Sequence, residues 1–275
     1  MNDTSTATAA TLRVPGALLH HEVRGSGPLV LLVGAPMDAR SFEALADLLA
    51  VDHTVLTTDP RGINRSPVDD PDQDSTPETR ADDLARLLVH VDAGPAVALG
   101  SSGGAVSVLA LAQARPDLVH TVIAHEPPLL ELLEDRDELR AGTEDIIATH
   151  QAGDPVGAMR KFLAQANIFM PEEVFQVVFA GERSAQDVAD ADYQNAHMMR
   201  PTVAWSPDLD VLRSTDVRVL VGLGEDSADQ ICDRTSRALS ALLGVEPTMF
   251  PGDHVGFAGN PAAFEARLRA VLKEA

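Results

Sequence analysis

A chain of 275 residues that is 45% hydrophobic can bury a substantial core, in one large domain or in one domain with a smaller insertion. Its 42 acidic and 21 basic residues give a formal net charge of −21, which repels nucleic acid and anionic membranes. We therefore expect neither as a partner, while the oligomeric state stays open.

The single cysteine, Cys232, excludes an intramolecular disulfide and fits a reducing compartment. Residues 1–11 lack the charged and apolar regions of a signal peptide, and no apolar run is long enough to span a membrane. These features predict a cytoplasmic protein. Cys232 falls in a helix-like stretch with no histidine near it in the sequence, which predicts a packing role.

Apolar runs that end at glycine or proline recur along the chain and predict strands. Segments 11–14 and 17–24 flank Pro15-Gly16 and predict a hairpin. Continuous apolar runs, typical of parallel strands buried on both faces, lie at 28–33, 54–58, 96–99, 119–124 and 217–223. Helix-length segments lie at 41–50, 78–92, 103–115, 229–243 and 261–273. This alternation predicts an α/β fold with a mostly parallel central sheet and helices on both faces.

The alternation stops between residues 129 and 212, where the pattern is helical and interrupted by prolines. An insertion between parallel strands lies at their carboxyl ends, where open α/β sheets bind ligands. We expect residues 129–212 to form a lid, or cap, over a site built by a core of residues 1–128 and 213–275. A purely structural helical layer is the alternative.

Ser102 is the candidate nucleophile. It is the central residue of Gly100-Ser101-Ser102-Gly103-Gly104, which matches G-x-S-x-G. The motif follows a short apolar strand and opens a strongly helical run, and this strand–turn–helix context holds one side chain up in a strained conformation. A flexible Gly/Ser loop would explain neither flank.

A serine nucleophile needs a general base and two backbone N–H donors for the oxyanion. His254 is the candidate base, because it lies in a glycine-bounded loop between the last apolar strand and the C-terminal helix. Gly103, after the nucleophile, is one expected donor. Ala35 is the other, because Pro36 has no N–H. No histidine spacing indicates a zinc site.

Four features spread over nearly the whole chain together resemble the α/β-hydrolase superfamily: Gly34-Ala35-Pro36, Asp59-Pro60-Arg61-Gly62, the serine motif and the loop at His254. The resemblance implies the α/β-hydrolase fold and a catalytic triad. In most members the triad acid is the Asp of Gly-x-x-Asp after the strand that follows the lid. Here Ser227 occupies that position, and Asp226, one residue early, is the alternative acid.

Glu126 is the preferred acid. It follows the strand that comes after the motif helix, next to the nucleophile strand in such a sheet. The segments Leu99-Gly100-Ser101-Ser102-Gly103 and His125-Glu126-Pro127-Pro128 locally resemble the zearalenone lactonases, whose triad acid is a Glu at this point. That resemblance also implies lactones, including resorcylic lactones of the zearalenone type, as candidate substrates.

The predicted activity is hydrolysis of a small apolar carboxylic ester or lactone through an acyl-enzyme on Ser102, without a cofactor or metal. Met37, Met198 and Trp205 are candidates for an apolar substrate pocket. A carbon–carbon bond hydrolase or lyase with the same triad, and a ligand receptor on the same fold, are the alternatives. Dinucleotide binding at residues 222–224 is disfavoured, because the third glycine of its motif is missing.

Overall fold

A computed structural model describes residues 7–273 of the chain. Its eight strands form one sheet in the order β1-β2-β4-β3-β5-β6-β7-β8. The strands are β1 (Thr8–Val14), β2 (Ala17–Arg24), β3 (Leu29–Val33), β4 (Thr54–Thr58), β5 (Ala96–Ser101), β6 (Val119–His125), β7 (Arg218–Gly224) and β8 (Thr248–Phe250). The pairs β1–β2 and β2–β4 are antiparallel, and every other neighbouring pair is parallel. The predicted fold class is confirmed.

Helices connect the parallel strands and cover the sheet. They are α1 (Glu43–Leu49), α2 (Pro77–Val91), α3 (Gly103–Ala114), α4 (Arg136–Gln151), α5 (Pro155–Gln165), α6 (Glu172–Phe179), α7 (Ala185–Tyr193), α8 (Met199–Val203), α9 (Leu209–Ser214), α10 (Ile231–Leu243), α11 (Gly256–Gly259) and α12 (Pro261–Lys273). The predicted strands and helices are present with shifted ends, the largest shift being at β1. The short helix α11, inside the loop after β8, was not expected.

The apolar run of β3 is continuous because both faces of the strand are buried. Leu31 and Val33 pack in the core cluster that includes residues of α2 and α3. Leu32 packs on the opposite face in a cluster that includes Phe42 and Phe264. One strand therefore supplies side chains to both apolar layers, and the sheet is held between them.

Between β6 and β7 the chain is mainly helical. This segment contains α4 to α9, together with a π-helix at Gln194–Met198. Its buried residues Leu130 and Leu139 pack against Ile231 at the start of α10, which joins this segment to the rest of the protein. No helix within residues 7–273 is long and apolar enough to cross a membrane.

Candidate active site

The turn between β5 and α3 presents Ser102 in a strained backbone conformation. Its φ of 57° and ψ of −126° lie in a region that residues other than glycine rarely adopt. The turn is compact: a Cβ on Gly100 would lie 2.2 Å from the Gly104 carbonyl oxygen, and one on Gly104 would lie 2.3 Å from that of Val33. Both glycines of the motif are therefore required by close backbone contacts.

Glu126 emerges next to this turn because of the register of the sheet. Ser101 and His125 are paired on the parallel strands β5 and β6, so the residues that follow them leave the sheet side by side. The Ser102 N–H donates to the His125 carbonyl oxygen over 3.0 Å, which links the two turns directly. Glu126 also has a positive φ, 53°, and its side chain is fully buried.

The buried Glu126 carboxylate accepts two hydrogen bonds. Its Oε2 lies 2.6 Å from Nδ1 of His254, and its Oε1 lies 2.9 Å from the backbone nitrogen of Gly224. The first contact joins the predicted base to the preferred acid. With both oxygens facing N–H donors, the carboxylate is held in one orientation.

The electrostatics of this pair follow from its burial and its partners. Burial by itself raises the pKa of Glu126, but the hydrogen bond and positive charge of His254 outweigh it and hold the pKa well below its ordinary value. Burial by itself lowers the pKa of His254, but the neighbouring Cys232 and Glu126 side chains hold it above its ordinary value of 6.5. Each member of the pair thus favours the charged form of the other.

His125 lies behind the pair and is fully buried. Its Nδ1 is 3.2 Å from the Ser101 hydroxyl, and its ring makes edge contacts with Phe250, Phe257 and Phe264. Burial lowers the pKa of His125 to about 4, so the ring is neutral at pH 7. It supports the two turns from inside the core.

The later acid position does not contact His254. Asp226 is exposed, and its backbone N–H donates to the Gly252 carbonyl oxygen over 3.0 Å. Within residues 7–273, no hydrogen bond joins Asp226 to His254. Ser227 is buried beside the Glu126 carboxylate: both Ser227 Oγ and Glu126 Oε1 lie 2.9 Å from where a Cβ on Gly224 would be.

Ser102 and His254 face one cavity, whose wall also includes Ala35 and Gly103. Within the described residues, no hydrogen bond joins the Ser102 hydroxyl to His254. Such contacts are often long without substrate and tighten in the substrate complex. The N–H groups of Ala35 and Gly103 donate no hydrogen bond within residues 7–273, which leaves both free for a ligand oxygen.

The cavity has a volume of about 140 Å³ and a mainly apolar wall. Its larger apolar side chains are Leu130, Ile146, Phe162, Ile168, Met198, Met199, Val203 and Ile231. Threonine and glutamine side chains at positions 143, 165, 194, 202 and 230 add polar atoms. Among the described residues that line it there is no Asp, Glu, Lys or Arg.

Two of the three predicted pocket residues lie elsewhere. Met198 lines the cavity, but Met37 packs against the core layer that contains Phe42. Trp205 packs against the other layer, and its indole N–H donates to Glu78 Oε1 over 2.8 Å. The expectation for Met37 and Trp205 is corrected, because core packing and a surface hydrogen bond account for these side chains.

Cys232 packs in an apolar cluster with Leu130 and Ala166, as predicted, and its side chain also lines the cavity. The Cys232 sulfur, a His254 ring nitrogen and a Glu126 carboxylate oxygen all lie within 4.8 Å of one another. Two atoms bound to one tetrahedral zinc ion would be roughly 3.3 Å apart, given bonds of about 2.0 Å. The 2.6 Å contact between His254 and Glu126 is therefore that of a hydrogen-bonded pair and not of two metal ligands.

The strained serine turn, the paired histidine and acid, and the mostly parallel sheet together define an α/β-hydrolase. The model of the alpha/beta hydrolase family matches residues 29–267, and the chain belongs to this family. It is 32% identical over 272 residues to the uncharacterized hydrolase YraK of Bacillus subtilis (strain 168), covering 98% of this chain and 97% of that protein.

Two further comparisons bear on fold and chemistry. The crystal structure of a hydrolase from Pseudomonas aeruginosa PA01 has the same fold, with a TM-score of 0.72, 20% identity and coverage of 96% of this chain and 98% of that one. The 2-(acetamidomethylene)succinate hydrolase of Mesorhizobium japonicum is 31% identical over 156 residues. That match covers 56% of this chain and only 54% of the relative.

Proposed function

We propose that the protein is a serine hydrolase that cleaves neutral, apolar carboxylic esters or lactones through an acyl-enzyme on Ser102. The observation that carries this proposal is the 2.6 Å hydrogen bond between His254 Nδ1 and the buried carboxylate of Glu126. It fixes the imidazole with its proton on Nδ1, which leaves Nε2 free to act as a base.

The proposed reaction has two stages. His254 accepts the hydroxyl proton of Ser102 as the serine oxygen attacks the substrate carbonyl, and the N–H groups of Gly103 and Ala35 stabilise the oxyanion. The imidazolium, stabilised by Glu126, then protonates the leaving alcohol, and an acyl-enzyme remains. In the second stage His254 takes a proton from water, and the hydroxide attacks the acyl group and releases the acid.

The cavity supports small, uncharged substrates. An engineered protein cavity of about 150 Å³ holds a molecule the size of benzene, and the cavity beside Ser102 is about 140 Å³. A short acyl group or a single ring fits this space. A resorcylic macrolactone requires the helices above the site to move apart.

We propose residues 129–212 as the lid that makes this movement, over a core formed by residues 1–128 and 213–275. Support comes from its side chains in the cavity wall: Ile146 from α4, Phe162 from α5 and Met199 from α8 all contribute. Separation of these helices from the core would widen the cavity and admit larger substrates.

The relative named as a 2-(acetamidomethylene)succinate hydrolase favours a second candidate, hydrolysis other than that of an ester at the same site. A succinate carries two negative charges, and buried anions need paired cations. The described cavity wall contains no Lys or Arg. The wall therefore favours a neutral ester or lactone over a dicarboxylate.

The test compares hydrolysis of p-nitrophenyl acetate and of a resorcylic macrolactone by the parent, Ser102→Ala and Ser101→Ala. Ser102→Ala is expected to lower kcat/KM by about 10⁴-fold or more, since a triad nucleophile cannot be replaced. Ser101→Ala is the matched control: it removes one buried hydrogen bond to His125 and is expected to keep activity within about tenfold.

A fluorophosphonate probe separates an enzyme from a receptor on this fold. The parent and Ser101→Ala are expected to be labelled at Ser102, and Ser102→Ala is expected to remain unlabelled. Full esterase activity of Ser102→Ala would overturn the proposal. Release of a product by carbon–carbon cleavage, with no ester hydrolysed, would favour the second candidate.

A further inference from the structure

Cys232 is a nucleophilic side chain in the cavity that the ester reaction does not use. It is the second residue of α10, and its side chain lines the same wall as Ser102 and His254. Its sulfur lies within 4.8 Å of a His254 ring nitrogen and of a Glu126 carboxylate oxygen. Cys232 thus lies beside the same base and orienting acid as Ser102, with sulfur in place of the serine oxygen.

Two hydrogen bonds hold Cys232 in this place. The Thr235 hydroxyl, one turn along α10, donates to the Pro127 carbonyl oxygen over 2.7 Å, which ties the helix to the residue after Glu126. The Ile231 N–H donates to the Ala166 carbonyl oxygen over 3.0 Å, which ties the helix to the lid. The first turn of α10 is therefore fixed between the acid and the lid.

The surroundings stabilise the charges that develop when Cys232 passes its proton to His254. The first turn of a helix carries a partial positive charge that stabilises an anion, and α10 has 13 residues. Leu130, Leu133 and Ala166 pack with Cys232 in one apolar cluster, and a low-dielectric neighbourhood strengthens its interaction with a charged neighbour. The Glu126 carboxylate on the far side of His254 stabilises the imidazolium.

We propose that Cys232 is a second nucleophile of the cavity, with His254 as its base, and that it captures soft carbon electrophiles such as haloacetamides. The thiol proton passes to His254, and the thiolate attacks the carbon that bears the halogen. A carbon–sulfur bond forms, the carbon–halogen bond breaks, and halide leaves with the electron pair. The imidazolium then returns its proton to water, and the thioether blocks the cavity beside Ser102.

Iodoacetamide tests this proposal directly, because Cys232 is the only cysteine and the label can be located by peptide mass spectrometry. The reference is the parent unfolded in urea at the same pH, where the thiol is exposed and unassisted. A buried thiol without a base reacts more slowly than this reference. We expect the native parent to react faster, by roughly fivefold or more, because His254 lies beside the sulfur and accepts the thiol proton as the sulfur attacks.

Three variants assign the effect. Ser102→Ala is expected to be labelled as fast as the parent although it hydrolyses no ester, so this inference and the proposed function can fail separately. His254→Gln, shown to be folded by circular dichroism, is expected to react more slowly than the unfolded reference. Cys232→Ser is expected to take up no label. Treatment with iodoacetamide is expected to abolish ester hydrolysis by the parent and to leave ester hydrolysis by Cys232→Ser unchanged.

A native parent that reacts no faster than the unfolded chain would overturn the proposal. Labelling of folded His254→Gln at the parental rate would also overturn it, because the base would then have no part. If His254→Gln does not fold, the comparison of native and unfolded parent decides alone.

Discussion

Replacement of Glu126 by glutamine tests the acid of the triad with almost no change in size. Both carboxylate oxygens face N–H donors, His254 Nδ1 at 2.6 Å and Gly224 N at 2.9 Å. A glutamine amide has one acceptor oxygen, so its NH₂ group must face one of these donors or force the imidazole into the other tautomer. The variant also loses the negative charge that stabilises the imidazolium in the transition state.

The magnitude follows from that charge. Two unit charges about 4 Å apart at an effective dielectric constant of about 20 interact by about 4 kcal/mol, which corresponds to about 10³-fold in rate. We expect Glu126→Gln to lower kcat for p-nitrophenyl acetate by about 10³-fold with a small change in KM. Steady-state kinetics measures both constants, and thermal unfolding verifies that the variant is folded. Retention of activity within tenfold would refute the assignment of Glu126 as the acid.

Three further predictions concern the same cavity. Because Glu126 and Cys232 raise the pKa of His254, the neutral base forms only at higher pH. We expect kcat/KM to rise with pH, with the midpoint of the rise above pH 6.5, and Glu126→Gln to move this midpoint to lower pH. Asp226→Asn, at an exposed position, is expected to keep kcat/KM within about twofold, and a loss comparable to that of Glu126→Gln would return the acid to the later strand. Phe162 lines both the cavity at Ser102 and a neighbouring one of about 370 Å³ in the lid. Phe162→Ala is therefore expected to raise the ratio of kcat/KM for p-nitrophenyl octanoate over p-nitrophenyl acetate by about tenfold. Phe169→Ala, at a position 91% exposed, is the control and is expected to leave this ratio unchanged.

Much of the fold could be predicted from the sequence because parallel strands are buried on both faces. Each strand from β3 to β7 is a short apolar run that ends at a polar, glycine or proline residue, which makes the alternation with helices visible. The serine turn was visible for a related reason: Gly100 and Gly104 are required by backbone contacts that leave no space for a side chain.

The wall of the cavity could be predicted only in part. An apolar residue such as Met37 or Trp205 carries no sequence signal for the face on which its side chain packs. Cys232 comes close to His254 through the docking of α10, which includes a hydrogen bond from Thr235 to Pro127. That contact joins residues 108 positions apart, and no local pattern records it.

The placement of the acid on β6 has a consequence for how the site assembles during folding. The pair Ser101 and His125, which aligns the two turns, is separated by 24 residues, and one unit of β5, α3 and β6 contains both turns. The bond from His254 to Glu126 spans 128 residues and forms only when the end of the chain returns to the sheet. Loop closure is less costly over short separations, so the serine and acid turns belong to a low-contact-order unit that can form early. By the same reasoning we expect the base to join last, so that the groups for proton transfer are complete only when the C-terminal part of the chain has docked.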